Sequence, residues 1–151
     1  MPTFVKSVLV DAPVSAVFGF HEREDALALL SPAFPPVRMI RRTGGIEAGA
    51  RVEIRVGIFS WIALHTAFEK DKLFVDEQIK GPFARWIHRH EFDDAGGKTR
   101  LTDRVEYQLP GGSLTELLFG WIVKQGLNRM FDHRHRVTRQ ICERDKITAG
   151  T

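Results

Sequence analysis

The chain has 151 residues, of which 43% are hydrophobic and 27% are charged, and its formal net charge at pH 7 is +3. A chain of this length and composition forms one globular domain with a substantial core and leaves no room for a second domain. The single cysteine, Cys142, excludes an internal disulfide, and no apolar run approaches the roughly 20 residues that span a bilayer, so we expect a cytoplasmic protein without a membrane span.

The N-terminal part is predicted to form a strand followed by two short helices. Thr3 to Val10 is rich in β-branched residues and alternates weakly, as a strand does. Pro13 suits the first turn of the next helix, whose buried stripe is marked by residues spaced i, i+3, i+4 and i+7, namely Val14, Val17, Phe18 and His21. A shorter helix carries Leu27, Leu29 and Leu30.

The remainder of the chain is predicted to form an antiparallel sheet and one long helix. Turn signals separate six strands, at Val37–Arg42, Arg51–Val56, Ser60–Lys70, Leu73–Lys80, Arg85–Phe92 and Thr99–Leu109. Their short connections favour hairpins. After Gly112, apolar residues at helical spacing continue to Ile141 and predict an amphipathic helix. A sheet covered on one face by a long helix is an α+β arrangement.

One face of the predicted sheet combines aromatic and polar side chains. Trp86, His88, His90 and Phe92 alternate with mostly charged residues, so they share one face of their strand. The matching faces of the neighbouring strands carry Phe74, Asp76 and Gln78, and Leu101, Asp103, Val105 and Tyr107. Because buried polar groups cost stability unless they are paired, these groups either pair with one another or contact a ligand.

The strand from Ser60 to Lys70 has two equally plausible inner faces. One is formed by Trp61, Ala63, His65 and Ala67, and the other by Ile62, Leu64, Thr66 and Phe68. The alternation pattern does not choose between them, so the position of His65 stays open.

Three segments of the chain combine glycine, proline, aromatic and polar residues at a characteristic spacing. They are Phe74-x-Asp76-x-Gln78-x-x-Gly81-Pro82-Phe83-x-x-Trp86-x-His88-x-His90-x-Phe92, Thr102-Asp103-x-Val105-x-Tyr107-x-Leu109-Pro110 and Ala12-Pro13-x-x-x-Val17-Phe18-x-Phe20-His21. These segments resemble the SRPBCC or START-like superfamily, and most closely its bacterial cyclase/dehydrase-type ligand-binding branch. The resemblance covers about Phe4 to Cys142. It implies a helix-grip fold, in which a curved antiparallel sheet wraps around the C-terminal helix, with a cavity for lipids, polyketides or other largely apolar molecules. We expect one such domain at residues 1–145 and a flexible tail at residues 146–151.

The first functional hypothesis is a carrier or sensor that binds a hydrophobic or amphipathic small molecule in this cavity. Ligand pockets are mainly apolar with a few placed polar groups, which matches the mixture of side chains on the inner face. The predicted ligand contacts are Trp61, Phe74, Asp76, Gln78, Trp86, His88, His90, Phe92, Asp103, Tyr107, Trp121, Met130 and Phe131.

The second hypothesis is a cyclase, dehydratase or hydrolase that uses the same cavity. His88 or His90 would be the general acid or base, Asp76 or Asp103 would orient it, and Tyr107 would donate a proton to a substrate oxygen. A third reading places a metal ion between His88, His90 and Asp76. Histidine pairs at this spacing are common by chance, so we expect neither a metal nor another cofactor.

Other partners have little support in the sequence. The basic run from Asp132 to Arg136 lacks the interleaved aromatic residues of a nucleic-acid site, so it is interpreted as a solvated helix face and no nucleic acid is expected. Several strands carry apolar residues on both sides, which leaves a homodimer through the sheet open.

Overall fold

The computed structural model describes the backbone of residues 2–149 and the side chains of residues 2–145. It contains seven strands and three helices, in the order β1 (Thr3–Val10), α1 (Val14–Glu22), α2 (Ala26–Leu30), β2 (Val37–Thr43), β3 (Arg51–Val56), β4 (Phe59–Glu69), β5 (Leu73–Lys80), β6 (Arg85–Ala95), β7 (Lys98–Gln108) and α3 (Ser113–Ala149). No helix in this part of the chain is long and apolar enough to cross a membrane.

All seven strands form a single antiparallel sheet in the order β1-β7-β6-β5-β4-β3-β2. Each strand from β2 to β6 forms a hairpin with the next strand in sequence. β1, at the start of the chain, pairs with β7, the last strand. The sheet is curved, and α3 packs against β1 and against the two short helices. The predicted α+β class and helix-grip fold are therefore confirmed.

The strand boundaries follow the turn signals closely. β3 and β5 have the predicted ends, while β6 continues three residues past Phe92. The extension forms because Ala95 pairs with Lys98 across the two-residue turn Gly96-Gly97. Both glycines have positive φ, 67° and 88°, the conformation that tight hairpin turns require and that glycine adopts without steric cost.

A β-bulge in β4 decides the open question about its inner face. His65 is opposite Asp76, but the next paired residue, Ala67, is opposite Val75, so Thr66 is an extra residue in the strand. Beyond the bulge the alternation is reset. Both His65 and Phe68 consequently reach the core side. The first proposed face is right for Trp61, Ala63 and His65, whereas Phe68 is the residue of the second face that packs on the core.

The core contains two apolar clusters. One lies under α1 and includes Phe18, Phe74, Phe92 and Leu101. The other lies under the middle of α3 and includes Phe4, Trp86, Val105, Tyr107 and Phe131. Along β6 and β7 the residues between these clusters on the same face are polar, namely His88, His90 and Asp103.

The long helix α3 is buried in only part of its length. Leu127, Phe131 and Cys142 lie in the core, with His135 and Thr138 on the same stripe. The first turns are different, because Leu117 is 78% exposed and Trp121 is 61% exposed. At 3.6 residues per turn, Trp121 projects about 80° away from Phe131 around the helix axis. Trp121 therefore does not lie on the same face of α3 as the buried residues of its second half.

The C-terminal end of α3 overlaps the predicted flexible tail. The helix continues through Ala149, so part of residues 146–151 is helical in backbone. The side chains of residues 146–149 and both final residues lie outside the described part of the chain, and the mobility of the tail stays a prediction.

Candidate functional site

Five buried or nearly buried polar side chains form one connected network, here called the polar belt: Asp76, His88, His90, Asp103 and His135. His88 Nε2 lies 2.7 Å from Asp103 Oδ1, and His135 Nε2 lies 2.6 Å from Asp103 Oδ2. His90 Nε2 lies 2.8 Å from Asp76 Oδ2, and its Nδ1 lies 3.2 Å from Asp103 Oδ1. Three imidazoles therefore share two carboxylates.

The strand register brings four of these residues together. Asp76 is directly opposite His88, and His90 is directly opposite Asp103. Among these four residues, the shortest hydrogen bonds are diagonal to this register, from His88 to Asp103 and from His90 to Asp76. Diagonal neighbours on one sheet face are close enough for such side chains to meet. The sequence prediction that Asp76, His88, His90 and Asp103 share one face agrees with this arrangement.

His135 was missed by the sequence analysis. The run from Asp132 to Arg136 was interpreted as a solvated face, but His135 is only 4% exposed and bonds Asp103. The spacing contained the signal, because His135 follows the fully buried Phe131 by four residues and precedes Thr138 by three. The charged residues on either side concealed it.

The network holds both aspartates ionised. Burial alone raises the pKa of Asp76, but its hydrogen bond with His90 and the charges of His88 and His90 outweigh burial and lower the pKa to about 2. Burial likewise raises the pKa of Asp103, and hydrogen bonds from His135, His88 and His90 bring it well below its usual range. Hydrogen bonds to the charged form are the deciding influence on both groups.

The two central histidines are shifted in opposite directions. Burial and the neighbouring His90 lower the pKa of His88, despite its bond with Asp103. Burial also lowers the pKa of His90, but its hydrogen bonds with Asp103 and Asp76 outweigh that effect and raise it. The ring centroids are 3.6 Å apart, so two imidazolium ions side by side are disfavoured and His90 is the preferred site for a proton.

Gln78, Tyr107 and Trp121 are among the predicted site residues that lie outside the belt. The Gln78 amide nitrogen donates to the Phe83 carbonyl at 2.8 Å, and its oxygen accepts from the Phe83 amide at 3.3 Å, so its polar atoms hold the β5–β6 turn. Tyr107 belongs to the apolar cluster with Trp86. In the sheet register it lies opposite Trp86 and diagonal to His88, and no hydrogen bond joins it to the belt among the described residues. Trp121 is exposed, as described above.

The remaining predicted contacts form apolar walls on both sides of the belt. Phe74 stacks on His90 with centroids 3.9 Å apart, and Phe92 belongs to the same cluster. On the other side, Trp61 meets Trp86 edge-on at 5.2 Å. Met130 and Phe131 pack there from α3, with Met130 partly buried and Phe131 fully buried.

His65 lies beside the belt with one polar atom unused. It is buried on β4, its Nδ1 finds no hydrogen-bond partner among residues 2–145, and burial lowers its pKa. His21, at the end of α1, is 5.1 Å from the Phe92 ring centroid. Its Nδ1–H donates to the Val17 carbonyl at 2.8 Å, and burial lowers its pKa to about 4. Both imidazoles are neutral at pH 7.

Two features bear on what else the site could hold. Asp76, His88 and His90 each offer one ligand atom within 4.8 Å of the others, so they could hold an ion.

A concavity of about 480 Å³ lies between β1 and α3, where Lys6, Arg139 and His135 line it. Since His135 bonds Asp103, the belt reaches the wall of this concavity.

The sequence matches a family model described as "Polyketide cyclase / dehydrase and lipid transport" over residues 10–134, which is most of its length. The chain belongs to this family. No curated protein matches the sequence significantly. The helix-grip fold and the family together place the chain in the START/SRPBCC superfamily and make it a ligand-binding domain of the START/polyketide cyclase type.

Several solved structures have the same fold as this chain. An aromatase/cyclase from a Streptomyces species has a TM-score of 0.73 and 13% identity, covering 95% of this chain and 94% of its own. A START superfamily protein from Mycobacterium smegmatis has a TM-score of 0.67 and 16% identity, with coverage of 94% and 97%. A nucleoside-diphosphate sugar epimerase from Corynebacterium glutamicum has a TM-score of 0.71 and 26% identity over 91% of this chain, which spans only 28% of that protein.

Proposed function

We propose that this domain binds a hydrophobic or amphipathic small molecule, lipid- or polyketide-like, between the concave face of the sheet and α3, and acts as a carrier or sensor. The observation that carries the proposal is the polar belt itself. Its carboxylates bond to its own imidazoles and it is set between two apolar clusters. Such a wall orients an apolar ligand through few polar contacts.

The pairing within the belt favours binding over turnover. A general base must have a free nitrogen within hydrogen-bond reach of the substrate proton. Here Nε2 of each belt histidine faces a carboxylate, and the Nδ1 of His90 also points at Asp103. The proposed proton donor, Tyr107, lies in a separate cluster.

Native mass spectrometry of the freshly purified protein, beside denaturing extraction of whatever it carries, tests this proposal. We expect an apolar adduct near one equivalent, or uptake of one equivalent of a fluorescent fatty acid by protein purified empty. A protein that is empty on purification and takes up no fluorescent fatty acid would contradict the proposal.

A second candidate is a cyclase or dehydratase, favoured by one observation. Burial lowers the pKa of His90, but its bonds with Asp103 and Asp76 outweigh burial and raise it, so His90 holds a proton more firmly than His88 does. A protonated imidazole beside a bound polyketone is able to act as a general acid. The same fold is seen in an aromatase/cyclase.

Turnover of a compound that the protein carries would distinguish the two candidates. If His90 is a general acid, His90→Gln lowers kcat by about 10²- to 10⁴-fold while the variant still binds the compound. Unchanged turnover in a folded variant would remove His90 from the mechanism. A homodimer, the absence of nucleic-acid binding and a cytoplasmic location stay predictions.

A further inference from the structure

Arg134 projects from α3 toward the concave face of the sheet. It follows Leu127 by seven residues and Phe131 by three, and both of those side chains are buried against the core, so the three lie on the same side of the helix. The guanidinium carbon is 5.6 Å from the centroid of the Phe131 ring. The head group therefore lies beside the apolar wall and not in bulk water.

The buried part of this guanidinium lacks a hydrogen-bond partner within the described part of the chain. Its Nε is inaccessible to solvent and bonds to none of the described residues. Burial lowers the pKa of Arg134, while Asp103 and Asp76 oppose the shift through their charges alone. A buried donor without an acceptor costs roughly 1–3 kcal/mol, and more when it is charged, so its position needs an explanation.

The belt carboxylates do not supply that acceptor. Both oxygens of Asp103 bond to imidazoles, at 2.7 Å to His88 and 2.6 Å to His135, and Asp76 Oδ2 bonds to His90 at 2.8 Å. Their summed negative charge still stabilises the nearby cation. The structure thus places a positively charged donor beside the ligand wall without committing it to a protein acceptor.

The facing strand offers a second unused polar atom. Nδ1 of His65 on β4 is buried and forms no hydrogen bond with any residue whose side chain is described. His65 lies opposite Asp76 in the sheet register. Phe74 separates His65 from His90, with its ring centroid 5.9 Å from His65 and 3.9 Å from His90. Unused polar atoms on both the helix and the sheet suit a ligand with an oxygen-bearing end and an apolar body.

We propose that Arg134 binds a carboxylate on the otherwise apolar ligand, a step that rests on the proposed binding function. The planar guanidinium presents parallel N–H groups that match the two oxygens of a carboxylate, and such charge-assisted pairs are stronger than neutral ones. His65 and the belt then face the more polar part of the ligand. Phe74 and the Trp61–Trp86 pair contact its apolar part.

Cis-parinaric acid and its methyl ester provide the test, since the two fluorescent polyenes differ in the carboxylate. Wild-type protein is expected to bind the acid about 10- to 100-fold more tightly than the ester, the range of one charge-assisted hydrogen bond. Arg134→Met is expected to bind both with the affinity of the ester. Arg129→Met, an exposed position on the same helix, is the matched control and should retain the preference.

The thermal stability of Arg134→Met shows whether Arg134 serves as an anchor for the ligand carboxylate or stabilises the fold. Arg134→Met removes an unpaired buried charge, so the ligand-free variant should unfold at the same temperature as wild type or higher. Equal affinity of wild type for acid and ester would overturn the anchor while leaving the binding function standing, as would equal weakening of both ligands in Arg134→Met. Failure of wild type to bind either compound would count against the binding function and the anchor together.

Discussion

At the scale of single residues, Asp103 is the group on which the polar belt depends. It is 4% exposed and accepts hydrogen bonds from His88 and His135, with His90 also close. Removing one partner from a buried charged network lowers stability far more than replacing the whole network by apolar residues. The reason is that the remaining buried charges and polar atoms are left without partners. The sequence analysis identified Asp103 as an inner-face residue but missed His135, because the charged neighbours of His135 concealed its spacing to Phe131 and Thr138.

Asp103→Asn should lower the free energy of unfolding by about 3–5 kcal/mol, because it removes the charge that compensates three buried imidazoles. Urea unfolding at pH 7 measures the change. Asp93→Asn on the exposed end of β6 is the control, with an expected change within about 0.5 kcal/mol. Equal losses in the two variants would show that the belt does not stabilise the fold.

The metal reading makes a separate prediction. We expect protein purified without chelator to contain no stoichiometric zinc, because His90 Nε2 and Asp76 Oδ2 already bond each other and His88 Nε2 bonds Asp103. Elemental analysis of the purified protein, with thermal unfolding before and after EDTA, measures this. One equivalent of zinc whose removal lowers the unfolding temperature would establish Asp76, His88 and His90 as ligands.

At the scale of secondary-structure elements, α3 has two halves with different environments. Its second half carries the core stripe with Phe131 fully buried, whereas its first turns expose Leu117 and Trp121. The apolar spacing after Gly112 predicted the helix and its start correctly. It did not show which side of the first turns faces the sheet, because large apolar residues occupy most of the circumference there.

Alanine substitutions in the two halves should therefore differ sharply. Phe131→Ala should cost about 3–5 kcal/mol because it leaves a cavity between α3 and β1. Trp121→Ala should change the free energy of unfolding by no more than about 0.5 kcal/mol, since the side chain is 61% exposed. Chemical denaturation of the ligand-free variants compares them. A loss of several kcal/mol in Trp121→Ala would mean that the first half of α3 is packed in solution.

The strand β4 shows where element prediction from alternation fails. The period of two identifies faces only while the strand is regular, and one inserted residue exchanges them. Thr66 is that residue. No local signal such as glycine or proline marks it, so neither proposed face described the whole strand and the position of His65 required the pairing with β5.

At the scale of the whole molecule, buried histidines make stability depend on pH. The pKa of His21 falls from 6.5 in the unfolded chain to about 4, chiefly because of burial. The unfolded state therefore binds more protons between these values, and the stabilisation present above pH 6.5 is lost as the pH falls toward 4. His90 has the opposite sign, since its raised pKa contributes stability that is lost as the pH rises above 6.5.

His21→Asn should weaken the acid side of this profile. At 1.36 kcal/mol per pKa unit, protonation of His21 should lower the free energy of unfolding of wild type by roughly 3 kcal/mol between pH 6.5 and 4. The variant should not show this part of the decrease. The asparagine amide retains a donor for the Val17 carbonyl. Urea unfolding across this range measures the two slopes, and parallel slopes would show that His21 is not buried in its neutral form.

The sequence by itself determined the fold class, most strand boundaries to within one residue and the face shared by Asp76, His88, His90 and Asp103. These features follow from local periodicity and turn chemistry, which neighbouring residues specify. The tertiary structure alone decided the features that join distant segments. They include the bond of His135 to Asp103, the place of Tyr107 in the apolar cluster with Phe131, and the Nε of Arg134, which finds no hydrogen-bond partner among the described residues. Each depends on the packing of α3 or on strand register, and burial there determines which polar atoms lose water and which find a partner.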